Sequence, residues 1–417
     1  MRITHLFSVL TSCLLCACIG GNSGTATNTV PPTPTVNTLA VVVDAGPPGV
    51  SAINRPFVTV KVCESGSATC ASIDHVLLDT GSWGLRLVRS VLTAGGVTLA
   101  PTTDAQGHTI QECAGFSGGQ TWGPVALADV TLAGEVANKL PVQVLDDTNT
   151  SAPPPATSVC VTSGSVHNAV PELGANGILG VGVFAQDCGP ACVSPATPLE
   201  TYYGCTATAA GVCTAENVAL ASQVTNPVTL FAADNNGVIV DLPNLQNPNG
   251  DATVMGQIIF GLATQTDNAL PATGLTVLGA DATGDFTATY NGGTNVLRAL
   301  IDSGTDDYNF ADTSVATCTA TPPNSAAWVG YYCPVVAPHS VFAVNMGAGT
   351  NTATNTVQFA IADPNSFVAT GTAFTSLGGG QGSARFTWGM PFFYGRKIYI
   401  GIEKTTSGTL KGPYYAY

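Results

Sequence analysis

The stretch Val76-Leu77-Leu78-Asp79-Thr80-Gly81-Ser82 is matched later in the chain by Ala299-Leu300-Ile301-Asp302-Ser303-Gly304-Thr305. Each copy places an apolar triplet before the tetrapeptide Asp, Ser or Thr, Gly, Ser or Thr. The two Asp residues lie 223 positions apart (302 minus 79), a separation typical of one lobe or domain. Two such motifs, each at the end of a buried-looking strand, predict a body built from two similar halves.

The composition indicates an exported β protein. The 417 residues are 45% hydrophobic and only 9% charged, and their formal net charge is -14. Because an ordinary soluble domain has about 25% charged residues, uncharged polar residues and Gly must supply most of this surface. The 12 Lys and Arg are scattered without a basic run, which excludes a nucleic-acid partner because nothing could neutralise phosphates.

Strand patterns dominate the body of the chain. Apolar and polar residues alternate over 56–62, 125–130 and 286–290, and Asn-Gly turn dipeptides recur between such runs. Helical periodicity is nearly absent, and only 217–223 suggests two helical turns. We therefore expect a mainly β body.

The N-terminus predicts export. Residues 1–17 combine Arg2 with an apolar stretch over 6–15, as in a secretory signal peptide. Residues 18–40 are predicted to form a flexible, lipid-anchored tether, because 19–37 are uncharged and rich in Gly, Thr, Pro and Asn.

The end of the signal resembles a bacterial lipobox. Leu15-Cys16-Ala17-Cys18 has the expected Leu and small residue before a Cys, so we expect lipid attachment at Cys18 and anchorage to the outer membrane. Leu10-Thr11-Ser12-Cys13 also fits the pattern, but the apolar core upstream of it is too short. An ordinary cleaved signal is the alternative.

The cysteines of the body predict disulfides. The chain has 13 Cys, and three of them (Cys13, Cys16 and Cys18) lie in or at the end of the predicted signal peptide. The remaining ten (13 minus 3) are an even number, as expected for disulfides in an exported protein. Two pairs flank short loops between strand-like runs and are expected to bond, namely Cys63 with Cys70 and Cys318 with Cys333. The pairing of six others is left open: Cys113, Cys160, Cys188, Cys192, Cys205 and Cys213. A zinc site in the cluster over 188–213 is the alternative, disfavoured by an oxidising compartment and the lack of a nearby His.

The duplicated motif resembles that of the pepsin-like aspartic proteases, and the resemblance extends from about residue 41 to 405. In that family an apolar-apolar-Gly strand runs past each Asp loop, and here 177–182 fits the first such strand and 387–389 the second. The resemblance implies a bilobal double β-barrel with a cleft between an N-terminal lobe at 41–225 and a C-terminal lobe at 226–417.

Three stretches also resemble an uncharacterised family of bacterial secreted or lipid-anchored proteins, a domain of unknown function of pepsin-like type. They are Asp-Thr-Gly-Ser-Trp-Gly-Leu-Arg at 79–86, Cys-Gly-Pro-Ala-Cys at 188–192 and Gly-Pro-Tyr-Tyr-Ala-Tyr at 412–417.

By resemblance, Asp79 and Asp302 would be the catalytic pair of an aspartic endopeptidase. Two neighbouring carboxyls share one proton, so the ionised one can act as general base on a water molecule while the other acts as acid. The resemblance also implies supporting residues: Gly81 and Gly304 for close backbone approach, Ser82 and Thr305 for the outer carboxylate oxygens, and Thr80 and Ser303 for bonds between the halves. No metal and no cofactor are expected.

The flap of the family corresponds to 113–130, and it departs from the family pattern. Phe116 falls near the position of the flap Tyr, and Arg86 falls at the position of the Trp that bonds this Tyr. Joint replacement of both partners is compatible with a different flap or with a lost activity. We expect Arg86 to serve structure, buried against a carboxylate such as Asp129.

Three other functions compete with the protease hypothesis. Gly-x-Ser-x-Gly at 115–119 would make Ser117 a hydrolase nucleophile, but no helix start follows it. A non-catalytic module that holds an extended peptide in the same cleft is the main alternative, and a structural envelope protein would need neither Asp. The expected partners are a peptide or protein substrate and, through the lipid, a membrane, with the protein itself a monomer.

Overall fold

The computed structural model describes residues 37–206, 211–320, 326–380 and 382–417. The predicted signal peptide, the Cys18 lipidation site and most of the predicted tether lie outside these residues. Within the described ranges, no helix is both long enough and apolar enough to cross a membrane.

The first half of the body is built from ten strands and short helices. Its strands are β1 Thr38–Val43, β2 Pro56–Glu64, β3 Cys70–Asp79, β4 Trp83–Val88, β5 Thr109–Phe116, β6 Gly119–Leu132, β7 Glu135–Leu145, β8 Gly177–Val181, β9 Tyr202–Cys205 and β10 Cys213–Ala215. Its helices are α1 Arg89–Ala94, α2 Val159–Thr162, α3 Val170–Leu173 and the 3-10 turns Gly189–Cys192, Leu220–Ser222 and Pro227–Leu230.

The second half consists of strands joined by 3-10 turns. The strands are β11 Gly237–Leu242, β12 Val254–Phe260, β13 Val277–Gly279, β14 Phe286–Tyr290, β15 Val296–Ile301, β16 Tyr308–Asn309, β17 His339–Met346, β18 Thr354–Ile361, β19 Gly378–Gly379, β20 Arg385–Trp388, β21 Arg396–Gly401, β22 Thr406–Ser407, β23 Leu410–Lys411 and β24 Tyr414–Ala416. The turns are Ala326–Trp328, Pro364–Ser366 and Met390–Phe392. The mainly β class expected from the sequence is confirmed.

Hydrogen bonding closes part of the first half into a barrel. The strands follow the order β6-β7-β4-β8-β3-β2, and β2 pairs back onto β6. Beyond β2 the same sheet continues through β1, β12, β11, β21, β24 and β13, so strands of both halves share one sheet. A second sheet has the order β18-β17-β14-β15-β20-β16-β19.

The two motif copies end equivalent strands. In the first half β3 runs parallel to β8, with Asp79 opposite Gly180, and β4 pairs antiparallel with β8. In the second half β15 runs parallel to β20, and β16 pairs antiparallel with β20. Both strands that the resemblance placed beside the Asp loops therefore lie there, and this repeated topology is the one implied for a pepsin-like fold.

Buried apolar side chains anchor both Asp loops. Val76 and Leu78 before the first loop are 0% exposed, and so are Ala299 and Ile301 before the second. Burial of one Val, Leu or Ile side chain stabilises a fold by about 1.5–3 kcal/mol. Each loop therefore follows a strand that is fixed in the core, which holds its backbone in place.

Five disulfides lie among the described residues, namely Cys63–Cys70, Cys113–Cys160, Cys188–Cys192, Cys205–Cys213 and Cys318–Cys333. The first and last are the pairs expected from the sequence. The cluster over 188–213 thus holds two disulfides instead of a zinc site, and the part of the chain described contains no group of three or more His, Cys, Asp or Glu that could hold a metal. Such a set of disulfides indicates an exported protein.

Two local expectations differ from the structure. The strand β1 begins at Thr38, inside the predicted tether, because its apolar run pairs with β12 from Thr38 onward. The two helical turns expected over 217–223 reduce to one 3-10 turn, Leu220–Ser222. Here the Gln223 amide donates to the Val218 carbonyl at 3.0 Å, a local side-chain bond that competes with a helix.

Candidate active site

The two Asp residues of the duplicated motif meet between the halves of the body. Asp79 ends β3, and Asp302 directly follows β15. Their carboxyls lie side by side, because a Cβ atom at Gly304 would be 2.8 Å from Asp79 Oδ1 and 3.2 Å from Asp302 Oδ1. Asp79 is only 6% exposed. The sequence placed these residues 223 positions apart, and the repeated strand topology brings their carboxyls into contact.

Each carboxylate is held by two donors from its own loop. Asp79 accepts the Gly81 N–H on Oδ1 at 2.8 Å and the Ser82 hydroxyl on Oδ2 at 2.5 Å. The second acid, Asp302, repeats this pattern with Gly304 at 2.7 Å and Thr305 at 2.7 Å. The two acids therefore have closely matched surroundings, and the outer oxygens are bonded by the hydroxyls that the resemblance assigned to them.

The remaining hydroxyls of the motifs bond across the halves. Thr80 donates its hydroxyl to the Ile301 carbonyl at 2.9 Å and accepts the Ser303 N–H at 3.0 Å. Ser303 does the reverse, donating to the Leu78 carbonyl at 2.6 Å and accepting the Thr80 N–H at 3.1 Å. Because both side chains are buried, loss of either would strand a buried backbone N–H, at a cost of about 1–3 kcal/mol.

The motif glycines lie directly against the opposite acid. A Cβ atom at Gly81 would lie 2.5 Å from Asp302 Cγ, and one at Gly304 would lie 2.8 Å from Asp79 Cγ. Real Cβ atoms almost never come so close to another heavy atom. Glycine is thus required on steric grounds at both positions for the carboxyls to meet.

The pair retains a proton at neutral pH. Burial and the neighbouring Asp302 raise the pKa of Asp79 to about 8, although the bonds from Ser82 and Gly81 oppose the shift. Two carboxyls that interact this strongly titrate as a unit, and between its lower and upper pKa the unit holds one shared proton. The site can therefore present an acid and a base at the same time.

A cleft of about 1110 Å³ opens over the acid pair. Its wall includes both Asp residues and the tip of the β5–β6 hairpin, residues 115–120. Drug-sized ligands occupy about 300–1,000 Å³, so the cleft has room for several residues of an extended peptide.

Phe116 lies at the end of β5, where the hairpin borders the cleft. The Arg86 guanidinium lies over its ring, with Cζ 5.4 Å from the ring centroid. The two residues that replace the Trp and Tyr of the resembled family are therefore in contact, through a cation–π interaction instead of a hydrogen bond.

Arg86 is buried against a carboxylate, as expected, but Asp129 as its partner is wrong. It is 2% exposed and lies 2.5 Å from Glu112 and 3.5 Å from Asp187. Asp129 instead accepts the N–H groups of Gly66 and Lys139, both at 2.8 Å. An irregularity between Ala128 and Val130 interrupts the β6–β7 register and turns Asp129 toward these donors.

Ser117 does not lie on a nucleophile elbow. It occupies the turn of the β5–β6 hairpin, with Phe116 paired to Gly119, and the next element is a strand. A nucleophile elbow needs a strand followed by a turn and a helix. The local structure therefore excludes that reading of 115–119.

The structure adds to the cleft two acids that directly follow the second motif. Asp306 and Asp307 both line it, and Asp306 accepts the Tyr331 hydroxyl at 2.6 Å. Burial, reinforced by Asp306, raises the pKa of Asp307 well above its usual value. Their position directly after the second motif was the available signal.

Comparison with known proteins gives a family and a structural neighbour. Among solved structures, the chain is similar to an aspartic proteinase from Irpex lacteus, with 14% sequence identity and a TM-score of 0.46. The alignment covers 91% of this chain and 96% of the proteinase chain. No curated protein sequence matches the chain. A family model described as "Protein of unknown function (DUF3443)" matches residues 33–417. The chain therefore belongs to the DUF3443 family.

Proposed function

We propose that this protein is an aspartic endopeptidase that cleaves peptides with Asp79 and Asp302. One observation carries the proposal: two adjacent carboxyls with matched donors line a cleft of about 1110 Å³. A buried acid pair is costly for a fold, and perturbed carboxyls in a cleft are typical of functional sites.

The chemistry follows from the shared proton. A water molecule held between the carboxyls gives a proton to the ionised carboxylate as its oxygen attacks the scissile carbonyl carbon. The protonated carboxyl transfers its proton to the carbonyl oxygen, so a neutral tetrahedral intermediate with two hydroxyls forms and the pair still holds one proton. As the C–N bond breaks, that proton passes to the amine nitrogen, and the other carboxylate takes up a proton from a hydroxyl of the intermediate. The products are a carboxylic acid and an amine, and the pair is again monoprotonated.

The surrounding groups keep this geometry fixed. The Gly81 and Gly304 N–H groups and the loop hydroxyls hold each carboxylate in its plane, so little reorganisation is needed during the reaction. The β5–β6 hairpin borders the cleft and would exclude bulk water from a bound peptide.

A peptide-library digest over a range of pH tests this function. We expect cleavage at acid and neutral pH and its loss as the pH rises through about 8, because deprotonation of Asp79 leaves the pair without an acid. The measurement is the rate of peptide cleavage from pH 3 to 10 by mass spectrometry. Activity that increases above pH 8 would contradict the proposal, since a fully ionised pair cannot protonate the carbonyl.

A second candidate function is a non-catalytic module that holds an extended peptide in the same cleft. The observation that favours it is Phe116, which offers no hydroxyl to a bound peptide from the hairpin. Peptides that bind without being cut at any pH would support this function over the first.

We also propose that the protein is a lipoprotein of the bacterial outer membrane, anchored at Cys18 after removal of a signal peptide at 1–17. The Leu-Cys-Ala-Cys sequence and the uncharged stretch after it support this. Mass spectrometry of the mature N-terminus should give a peptide that starts at Cys18 and carries acyl chains. An unmodified N-terminal peptide starting at another residue would contradict the anchor.

A further inference from the structure

We propose that Arg86 is the positioning residue that holds the β5–β6 hairpin over the acid pair through its contact with Phe116. The proposal rests on the proposed peptidase function and adds to it the device that sets the position of the hairpin. Arg86 does not touch the acids and would act through Phe116.

Backbone bonds attach the base of the hairpin tip to residues 165–167. The Gln120 N–H donates to the Ser165 carbonyl at 2.8 Å, and the Gln120 carbonyl accepts the His167 N–H at 2.7 Å. At the tip, Ser117 and Gly118 are exposed, and a Cβ at Gly118 would meet no atom within 4 Å. The tip therefore needs a contact on its cleft side to keep a defined position.

Arg86 provides a fixed cation on that side. It lines the cleft next to the hairpin and is 2% exposed. Its Nη1 donates to the Trp83 carbonyl at 2.7 Å, and its Nη2 lies 2.5 Å from Glu112 and 3.5 Å from Asp187. A guanidinium held at three points cannot change rotamer without leaving buried carboxylates unpaired.

Asp187, one of the two acids beside Arg86, is itself anchored. Asp187 accepts the Tyr202 hydroxyl at 2.6 Å, and that hydroxyl accepts the Val224 N–H at 2.8 Å. Asp187 also donates its own N–H to the Val224 carbonyl at 3.1 Å. The cation is thus part of a network that reaches the core of the first half.

The strand geometry places both ends of this contact on one face. Glu112 and Phe116 lie four residues apart on β5, and side chains at even spacing on a strand share a face. One guanidinium therefore contacts the hairpin twice, at Glu112 inside the strand and at Phe116 near the tip. A cation within about 6 Å of an aromatic centroid attracts the ring, more strongly when it is withdrawn from water.

Substitution of Phe116 tests the proposal with the charged network left intact. Phe116→Leu keeps an apolar side chain but removes the aromatic face, whereas Phe116→Tyr keeps the ring. We expect hydrogen exchange of the amides at 115–120 to be about tenfold faster in Phe116→Leu and unchanged in Phe116→Tyr. For a peptide that the wild type cleaves, we expect Phe116→Leu to raise KM about tenfold and to change kcat less. Phe116→Tyr should have a KM close to that of the wild type.

A double-variant cycle assigns the effect to Arg86. Arg86→Lys keeps the charge but cannot bond both acids and stack on the ring at once, so it should speed tip exchange by itself. Adding Phe116→Leu should then cause little further change. If Arg86→Lys does not fold, the two Phe116 variants still decide.

Unchanged tip exchange in Phe116→Leu, or full additivity of the two substitutions, would overturn the role of Arg86. Hydrogen exchange needs no cleavage, so this outcome is distinct from failure of the proposed function. A wild type that cuts no peptide yet shows faster tip exchange in Phe116→Leu would refute the peptidase and keep the Arg86 contact.

Discussion

Replacement of Asp302 or Asp79 by Asn is expected to lower kcat/KM for peptide cleavage by about 10⁴-fold or more, because each variant loses either the base or the acid. The double variant should be little worse than either single one, since the two carboxyls form one unit. The measurement is the initial rate on one cleaved peptide for the wild type, both single variants and the double variant.

The fold should survive these substitutions, because Asn keeps the size of Asp and can still accept the loop N–H bonds. The pH dependence of the stability of Asp79→Asn provides a control that does not depend on cleavage. A carboxyl whose pKa is raised to about 8 destabilises the fold as the pH increases from 3.8 to about 8, because the unfolded state loses its proton first. Asp79→Asn should therefore gain stability relative to the wild type over this interval, measured by urea unfolding at pH 4 and pH 8. Cleavage that persists in Asp302→Asn would contradict the dyad.

Substitution of Gly81 by Ala is expected to have the second largest effect. The new methyl group would lie 2.5 Å from Asp302 Cγ, so one of the two loops must move. Overpacking of this kind costs about 1–3 kcal/mol of stability, and displacement of a reacting group by about 1 Å lowers the rate by about 100-fold. Thermal unfolding and peptide cleavage measure the two effects.

Gly382→Ala is the matched control, because a Cβ at Gly382 meets no atom within 4 Å. It should leave both stability and cleavage near those of the wild type. Gly304→Ala should resemble Gly81→Ala, since its Cβ would lie 2.8 Å from Asp79 Cγ. Equal behaviour of Gly81→Ala and Gly382→Ala would contradict the close approach of the two loops.

The parts of the site that follow from a repeated local pattern could be predicted from the sequence. Asp79 and Asp302 are each preceded by apolar strand residues and followed by a hydroxyl and Gly. The resemblance to the pepsin-like family implied the bonds of Thr80 and Ser303 between the halves. Local spacing also predicted Cys63–Cys70, which spans a short turn between two apolar runs.

The parts that depend on long-range register could not be predicted. Arg86 faces Glu112 because β4 lies beside β7 and β8 in the barrel, and no local spacing encodes that order. Asp129 was expected beside Arg86, but it accepts the N–H groups of Gly66 and Lys139 next to an irregularity in the β6–β7 register. The Cys113–Cys160 pairing depends on such packing, since it joins β5 to α2. The Cys188–Cys192 and Cys205–Cys213 bonds are local, but the four cysteines lie so close in sequence that spacing alone did not select the partners.

The most direct test of the central claim, that Asp79 and Asp302 act as one catalytic unit, is the thermal shift caused by a statine-type transition-state analogue at pH 5. The analogue's hydroxyl would replace the water between the carboxyls, so it should bind the wild type more tightly than a substrate does. At a concentration of about 100 times its Kd it would stabilise the wild type by about 2.7 kcal/mol. We predict a clear rise in melting temperature for the wild type and a much smaller one for Asp79→Asn and Asp302→Asn. No shift in the wild type, or an equal shift in all three proteins, would contradict the claim that Asp79 and Asp302 act as one unit.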